Sequence, residues 1–383
     1  MQCSTIDSLS GVDAAAWDDL VALSGGGVFP SHAWLAALET TGAVGARTGW
    51  QPCHLLAEDD GQLVGALPLY LKQHSYGEYV FDWAWADAYR RHGLAYYPKL
   101  VAAVPFTPCP GPRLLASRED VAEALIDAAL ALARQLPVSS LHVLFPTAEE
   151  AARWGAHGLM QRQGVQFHWL NRVPVPFRDF ENMLAAMSHD KRKKIRQDRR
   201  YVAEAGVRFR VRRGAEIGAD EWAFFHRCYE RTYQAHHSTP YLNLDFFRTI
   251  GRTCGEAPVL FLGERDGRPV CASLAIASGR VLYGRYWGTL EAIRSLHFEA
   301  CYYQPIEWAI AHGFARFEGG AQGIHKLARG LLPVATHSAH WIADARFASA
   351  IDEFCARERI GVAHTLDELE ASSPFRRGAS APA

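Results

Sequence analysis

Residues Cys53 to Lys72 read CHLLAEDDGQLVGALPLYLK, and Val259 to Ile276 read VLFLGERDGRPVCASLAI. Each is two apolar runs joined by Asp-Gly, whose residues tolerate positive φ, so each predicts a β-hairpin. The two superpose at a shift of 206 residues, matching Glu58 to Glu264, Asp60 to Asp266, Gly61 to Gly267, Val64 to Val270 and Ala66 to Ala272. The same shift lays Tyr96-Tyr97 on Tyr302-Tyr303. Similar helix starts precede the hairpins, SHAWLAALE from Ser31 and NLDFFRTIG from Asn243, each a side-chain N-cap ahead of an i, i+3, i+4 apolar stripe. A repeat of this length indicates a duplicated domain rather than a solenoid. The expected class is α/β with mixed sheets in two copies, each sheet needing helices to cover it. The two prolines of RVPVPF discourage helix, so the boundary is expected near Val173 to Phe177, giving domains over 1–175 and 176–372. The tail over 373–383, SPFRRGASAPA, lacks apolar content and is expected to be disordered.

Lys plus Arg number 40 against 41 Asp plus Glu, so no global field favours nucleic acid or an acidic membrane. The eight cysteines are scattered without CxxC or zinc-ligand spacing, which fits a reducing cytoplasm and no metal. The N-terminus has no basic start, and no run of about eighteen apolar residues occurs anywhere, so neither a secretion signal nor a membrane span is expected.

Chemistry concentrates in the second half. Glu318 to Pro333 reads EGGAQGIHKLARGLLP, where glycines allow close approach of the backbone and His325, Lys326 and Arg329 bring proton-transfer and anion-binding groups. Upstream, VLYGRYWGTL (Val281 to Leu290) is a strand interrupted by Gly284 and Gly288, which suit a bulge, a close ligand or sheet twist. LHFEACYYQPIEWAIAHG (Leu296 to Gly313) carries a helical stripe that Pro305 must begin or kink. Passing an acyl group to an amine needs a proton acceptor, donors for the developing oxyanion and an acid for the leaving group. His297, Glu299, Tyr302, Tyr303, His325 and Lys326 supply each type; singly, each reads equally as a satisfied core group or a surface charge. SHDKRKKIRQDRRYVAEAG, from Ser188 to Gly206, reads as a helix. Its Lys191, Arg192 and neighbouring cations are either a solvated face with i, i+4 ion pairs or a clamp for phosphate groups.

These stretches, with VPFTPCPGPRLL (Val104 to Leu115), YLNLDFF (Tyr241 to Phe247) and THSAHW (Thr336 to Trp341), resemble the FemAB-like predicted N-acyltransferases, relatives of the Fem peptidoglycan aminoacyltransferases and of the GNAT acyltransferase superfamily. The resemblance runs from about Trp17 to about Ile360. It implies two tandem GNAT-like domains and a cytoplasmic N-acyltransferase with no metal and no tightly bound cofactor, taking an acyl group from acyl-CoA or another acyl thioester, such as an acyl carrier protein. The acceptor would be the amine of an amino acid, a peptide or a peptidoglycan precursor. By position, Lys326 resembles the loop lysine that Fem-type enzymes place near the reacting carbonyl. His325 and Glu299 would remove the proton and Tyr302 would protonate the leaving group, while Arg285, Trp287, Gly288, Tyr303, Gln322, Gly323 and Arg329 would shape the donor pocket. In the first domain FDWAWADAYRR (Phe81 to Arg91) offers Asp82 and Trp85 as a cleft wall, or else is an aromatic core strand with polar ends. Two alternatives accompany this reading: an aminoacyl-tRNA donor tracked by the basic helix, and a member that has lost catalysis and only binds a peptide or cell-wall fragment. The chain departs from the family where the loop carries Ile324 in place of the usual Glu, where Thr289 and LEAIRS follow YWG, and where a pyrophosphate loop is missing. If the usual Glu is a base, this chain must use another.

Overall fold

The computed structural model describes residues 1–320 and 323–376. They form two compact units, Met1–Gly164 with Ala335–His364, and Val165–Val334 with the residues from Thr365 onward. The break therefore falls at 164/165 instead of near Val173, and the second half is not one contiguous domain. The reason is that two long strands, Met160–Leu170 and Leu332–Ile342, each supply residues to both units. Of the tail expected to be disordered, Phe375 is placed, stacked 6.3 Å from Phe177; 377–383 lie outside the described residues.

In the first unit β1 (Gln2–Ile6) is followed by α1 (Ala14–Leu23), α2 (His32–Thr40) and a hairpin of β2 (His54–Asp59) and β3 (Gln62–Leu67). Asp60 and Gly61 both take positive φ, 49° and 75°, as an Asp-Gly hairpin turn requires. Beyond it β4 (Leu69–Lys72), α3 (Trp83–Arg91), β5 (Lys99–Ala102), α4 (Glu119–Gln135) and β6 (Ser140–Leu144) complete the unit. β5 and β6 are parallel, joined across α4, whose Val121, Leu125 and Ala129 pack on Leu100, Leu141 and Val143. FDWAWADAYRR is thus a helix start, not a strand: Trp85 and Tyr89, at i and i+4, share its buried face.

In the second unit β7 (Met160–Leu170, from Val165) and α5 (His189–Glu204) precede a repeat of the same order. It runs β8 (Arg208–Arg213), α6 (Ala219–Ala235), α7 (Leu244–Thr253), β9 (Pro258–Arg265) and β10 (Arg268–Ser278). The duplication holds to the level of register. Gln2 pairs Glu58 as Arg208 pairs Glu264, and each hairpin slips register one residue earlier, at Ala57/Glu58 and Gly263/Glu264. Ser31 and Asn243 cap their helices as expected, accepting from Trp34 N and Phe246 N. The tyrosine pairs are not equivalent: Tyr96-Tyr97 lie outside helix and strand, whereas Tyr302-Tyr303 are helical. The unit ends in β11 (Val281–Thr289), α8 (Gln304–Ala311) and β12 (Arg316–Glu318), with strand order β8-β9-β10-β11-β12-β7.

Gly288 on β11 faces α6 so closely that a Cβ would strike the backbone carbonyl of Cys228 and lie 2.8 Å from Thr232 Oγ1. Gly288→Ala must push α6 off the sheet, and overpacking of this kind typically costs about 1–3 kcal/mol or more. A fall of at least about 2 kcal/mol in urea unfolding is expected, whereas Gly279→Ser, at an open turn, should cost less.

Candidate active site

β11 and β12 run parallel for only three rungs, Val281↔Arg316, Leu282↔Phe317 and Tyr283↔Glu318. β12 then stops while β11 continues to Thr289. On its other edge β11 stays paired with β10, but its register slips between Leu274 and Ala275, which leaves Arg285 as the extra residue of a bulge. The parted strands border a cavity of about 100 Å³ whose walls include Arg285, Trp287, His297, Cys301, Tyr302 and Gly319.

Leu296–Phe298, a π-turn over Glu299–Tyr303 and α8 form the helix above this slot. Pro305 has no N–H to return to the carbonyl of Cys301, so the i→i+4 ladder is interrupted there, and the widened turn directly precedes it. From below, a 3₁₀ turn over Ile324–Arg329 rises out of Gly323, whose φ of 114° and contact with the His325 ring exclude a side chain. Lys326 Nζ donates to Gly320 O at 2.9 Å, and His325 Nε2 is 3.1 Å from the Tyr302 hydroxyl. Arg329 fixes this turn, donating to His325 O at 2.6 Å with its guanidinium 3.5 Å from the centre of the Phe298 ring.

Behind the site stands Asp198 of α5, fully buried. It accepts from Ser295 Oγ at 2.9 Å and Tyr303 OH at 3.0 Å, and it pairs with Lys194 at 3.0 Å and Arg329 at 3.8 Å. Sequence reasoning missed it; a carboxylate in a charge run carries no mark of a partner 97 residues away.

Burial sets the protonation states. It lowers Lys326 to about 8, so the ammonium persists at pH 7. Burial, then the charges of His325, Arg329 and Lys326, lowers His297 to about 4, leaving a neutral imidazole. Burial, then Arg329 and Lys326, also lowers His325. It raises Tyr302 well above the usual phenol range, so that hydroxyl keeps its proton.

Tyr302, Arg285 and Trp287 line the slot, His325 contacts Tyr302, and Lys326 is held beside Gly319 and Gly320 next to it; Gly323 and Arg329 belong to the turn that carries His325 and Lys326. Tyr303 does not line the slot; its hydroxyl donates to Asp198. Glu299 does not line the cavity: its carboxylate meets Arg199 at 3.1 Å and Gln304 at 2.7 Å, and burial raises its pKa. The space beside Gly288 is filled by α6 instead of a ligand. Gln322 lies outside the described residues. Lys191 is exposed, and Arg192 joins His189, Lys193, Arg196 and Arg200 around an open hollow of about 380 Å³ on one face of α5. In the first unit Asp82 and Trp85 are buried, 2% and 4% exposed, and form no open wall. Asp82 holds Lys99 and accepts from Tyr96 at 2.7 Å, and Lys99 also meets Glu78 at 2.8 Å. Among the described residues no helix is long and apolar enough to cross a membrane.

The FemX crystal structure matches at a TM-score of 0.56 and 12% identity, covering 92% of this chain and 100% of that one. The structure of L-PGS from Bacillus licheniformis matches at 0.53 and 12%, covering 90% and 96%. A tandem GNAT protein from the clavulanic acid biosynthesis pathway matches at 0.46 and 14%, covering 90% and 98%. No curated protein matches the sequence. The chain belongs to the FemAB-like family, described as peptidoglycan biosynthesis/recognition, whose model matches residues 8–377.

Two substitutions test these placements. Lys99→Ala strands Glu78 and Asp82 in the interior, and unfolding should show a loss of about 3–5 kcal/mol, the usual cost of breaking a buried pair; an open cleft wall would lose far less. Lys326→Met should instead stabilise the protein by about 1–3 kcal/mol at pH 7, because the ammonium is held in a site that disfavours it. The folded pKa of about 8 lies below the ordinary 10.5, so the unfolded chain binds the proton more tightly. Wild-type stability therefore rises with pH across that window, and the advantage of Met should shrink between pH 8 and pH 10.5 in denaturant titrations.

Proposed function

We propose that the protein is an N-acyltransferase that moves an acyl group from an activated thioester, acyl-CoA or an acyl carrier, to the amine of an amino acid, peptide or cell-wall precursor. The observation that carries this reading is the buried Lys326 ammonium beside the slot where β11 leaves β12. An extended acyl arm entering that slot can pair with the backbone of β11 past Tyr283, where β12 no longer does. Its carbonyl then lies beside Lys326, a fixed charge in a dry site that stabilises the oxyanion formed when the amine attacks. The C–S bond breaks as that intermediate collapses, and the leaving thiolate takes the proton of Tyr302, whose hydroxyl is oriented by His325. The cationic face of α5 supports a donor carrying phosphate, since Arg192, Lys193, Arg196 and Arg200 present guanidinium and ammonium groups around one hollow. The family description, peptidoglycan biosynthesis/recognition, supports a cell-wall precursor as acceptor.

The donor class is read by thermal shift against coenzyme A thioesters, an acyl carrier protein and aminoacyl-tRNA. A saturating donor should stabilise the fold by about 2.7 kcal/mol at one hundred times its Kd. Transfer to a panel of amines should fall about 10²- to 10³-fold in Lys326→Ala. Stabilisation by a peptide or cell-wall fragment, with no donor consumed, would sink the transferase reading in favour of binding alone.

A further inference from the structure

This inference rests on the transferase reading and supplies what that reading lacks, the group that takes the proton from the incoming amine. His325 is engaged with Tyr302, and Glu299 is turned to Arg199. From the arrangement of the last rung between β11 and β12 we infer that Glu318 is the general base for the acceptor amine.

Four observations support this role. Glu318 occupies the final paired position, opposite Tyr283, so its carboxylate stands where the strands begin to part. It is 2% exposed, yet neither of its oxygens has a hydrogen-bond partner among the described residues. The Arg316 guanidinium is 3.0 Å away but out of hydrogen-bonding alignment, and His168 Nε2 is 3.7 Å away. A carboxylate buried without hydrogen bonds is costly, and such sites call for an explanation beyond packing.

The third observation is direction. Side chains alternate along a strand. Phe317 packs into the core with Ile306 and Ala309 of the α8 helix, and a Cβ on Gly319 would lie 3.5 Å from Lys326 Cδ. Glu318 consequently faces the other side of the sheet, where its neighbour across the antiparallel rung is His168. Tyr302 thus lines the slot, with Lys326 beside Gly319, while Glu318 stands on the other face of the sheet at the rung where the strands part. That division separates the oxyanion donor and leaving-group acid from the base.

The fourth observation is electrostatic. The charged and titratable groups facing Glu318 are Arg316 on its own strand, Arg285 on β11 and His168 on β7. Burial raises the carboxyl to about 7 against the opposing pull of Arg316 and Arg285. Burial, then Arg316 and Lys326, lowers His168 to about 3, so the imidazole stays neutral and does not compete for the proton.

In the resulting step the ammonium proton passes to Glu318 across one bridging water, a reach open to a general base. The freed lone pair forms the C–N bond, the C–S electron pair leaves on sulfur, Tyr302 supplies the proton that neutralises the thiolate, and the excess proton left on the new amide nitrogen passes back to the Tyr302 phenolate. No redox partner is needed.

The test compares wild type, Glu318→Gln, Glu318→Asp and Lys326→Ala in transfer from an acyl-CoA to a primary amine. In wild type kcat/KM should rise with pH through a limb near 7, because the base works only when ionised. Glu318→Gln should lower kcat by about 10²-fold or more and flatten that limb, while the thermal shift produced by the donor is unchanged. Glu318→Asp should retain part of the rate and the limb. Lys326→Ala should lose rate but keep the limb, which a merely structural role for Glu318 would not reproduce. If Glu318→Gln folds, binds donor and turns over within threefold of wild type, or the limb survives in it, the assignment is overturned. If wild type itself transfers no acyl group, the transferase reading fails first and takes this inference with it.

Discussion

Everything at the candidate site depends on one constraint: β11 and β12 pair for three rungs and then must diverge. Divergence is built into the strands. Gly284 lets β11 pass close to the end of β12, since a Cβ there would lie 3.0 Å from the Phe317 ring and 3.2 Å from Glu318 O. The extra residue at Arg285 bends β11 immediately afterwards, and Gly319 turns β12 where any side chain would strike Leu331 at 2.5 Å. Parallel strands need a crossover between them. Here the crossover is the Leu296–Ala311 helix, so the same connection that closes the topology delivers Tyr302 and Cys301 to the opening.

A parted pair of strands would be a weak point without a brace, and Asp198 provides it. Its two oxygens tie the start of the crossover helix at Ser295, the middle of that helix at Tyr303 and the 3₁₀ turn at Arg329 to α5. Arg199, the next residue, binds Glu299 and Glu307 of the same crossover. The inner face of α5 thus braces the crossover helix and the 3₁₀ turn while its outer face displays the cations. The basic segment carries the ion pairs expected of a solvated face: Arg196 pairs Glu181 at 2.5 Å and Arg200 pairs Glu204 at 3.5 Å, and both line the open hollow.

Local signals in the sequence were reliable and long-range ones were not. Asp-Gly turns, Ser31 and Asn243 caps and the 206-residue repeat are short-range chemistry repeated twice, and the register of β1 and β8 follows the same shift. The unit boundary was hidden because a continuous strand such as Met160–Leu170 shows no break in pattern where its partners change. FDWAWADAYRR misled through its aromatics, which favour strands in general, although Trp85 and Tyr89 already had helical spacing. At the candidate site, Lys326 and His325 stood out because glycines and polar residues crowd a short loop, and Tyr302, which His325 contacts, came from the helical segment upstream. Glu318 stood in the same quoted stretch, but its role depends on which face of β12 it takes, and that is set by pairing with β7 and β11.

The two copies differ at the corresponding parallel pair of strands. The first unit repeats the parallel pair: Leu100↔Leu141, Val101↔His142 and Ala102↔Val143 form three rungs joined by α4. Past those rungs the chain from Ala103 to Cys109 is buried throughout. Gly111 N donates to Phe145 O at 3.1 Å, and Arg113 donates from Nε to Leu144 O and from Nη2 to Cys109 O, both at 2.8 Å. Glu150 then accepts the backbone N–H groups of Arg113 and Leu114 at 2.8 and 3.1 Å. The end of β6, which corresponds to Glu318 and Gly319, is therefore stitched to its own connection. Arg113, 2% exposed, has its guanidinium bound to four backbone carbonyls, those of Leu144, Gly111, Pro112 and Cys109. A segment held by that many buried hydrogen bonds cannot yield to a substrate without leaving them unmade, each at a cost of about 1–3 kcal/mol. The second unit has no equivalent insertion between β11 and its crossover helix, only the six residues from Leu290 to Ser295, so its strands part onto open space.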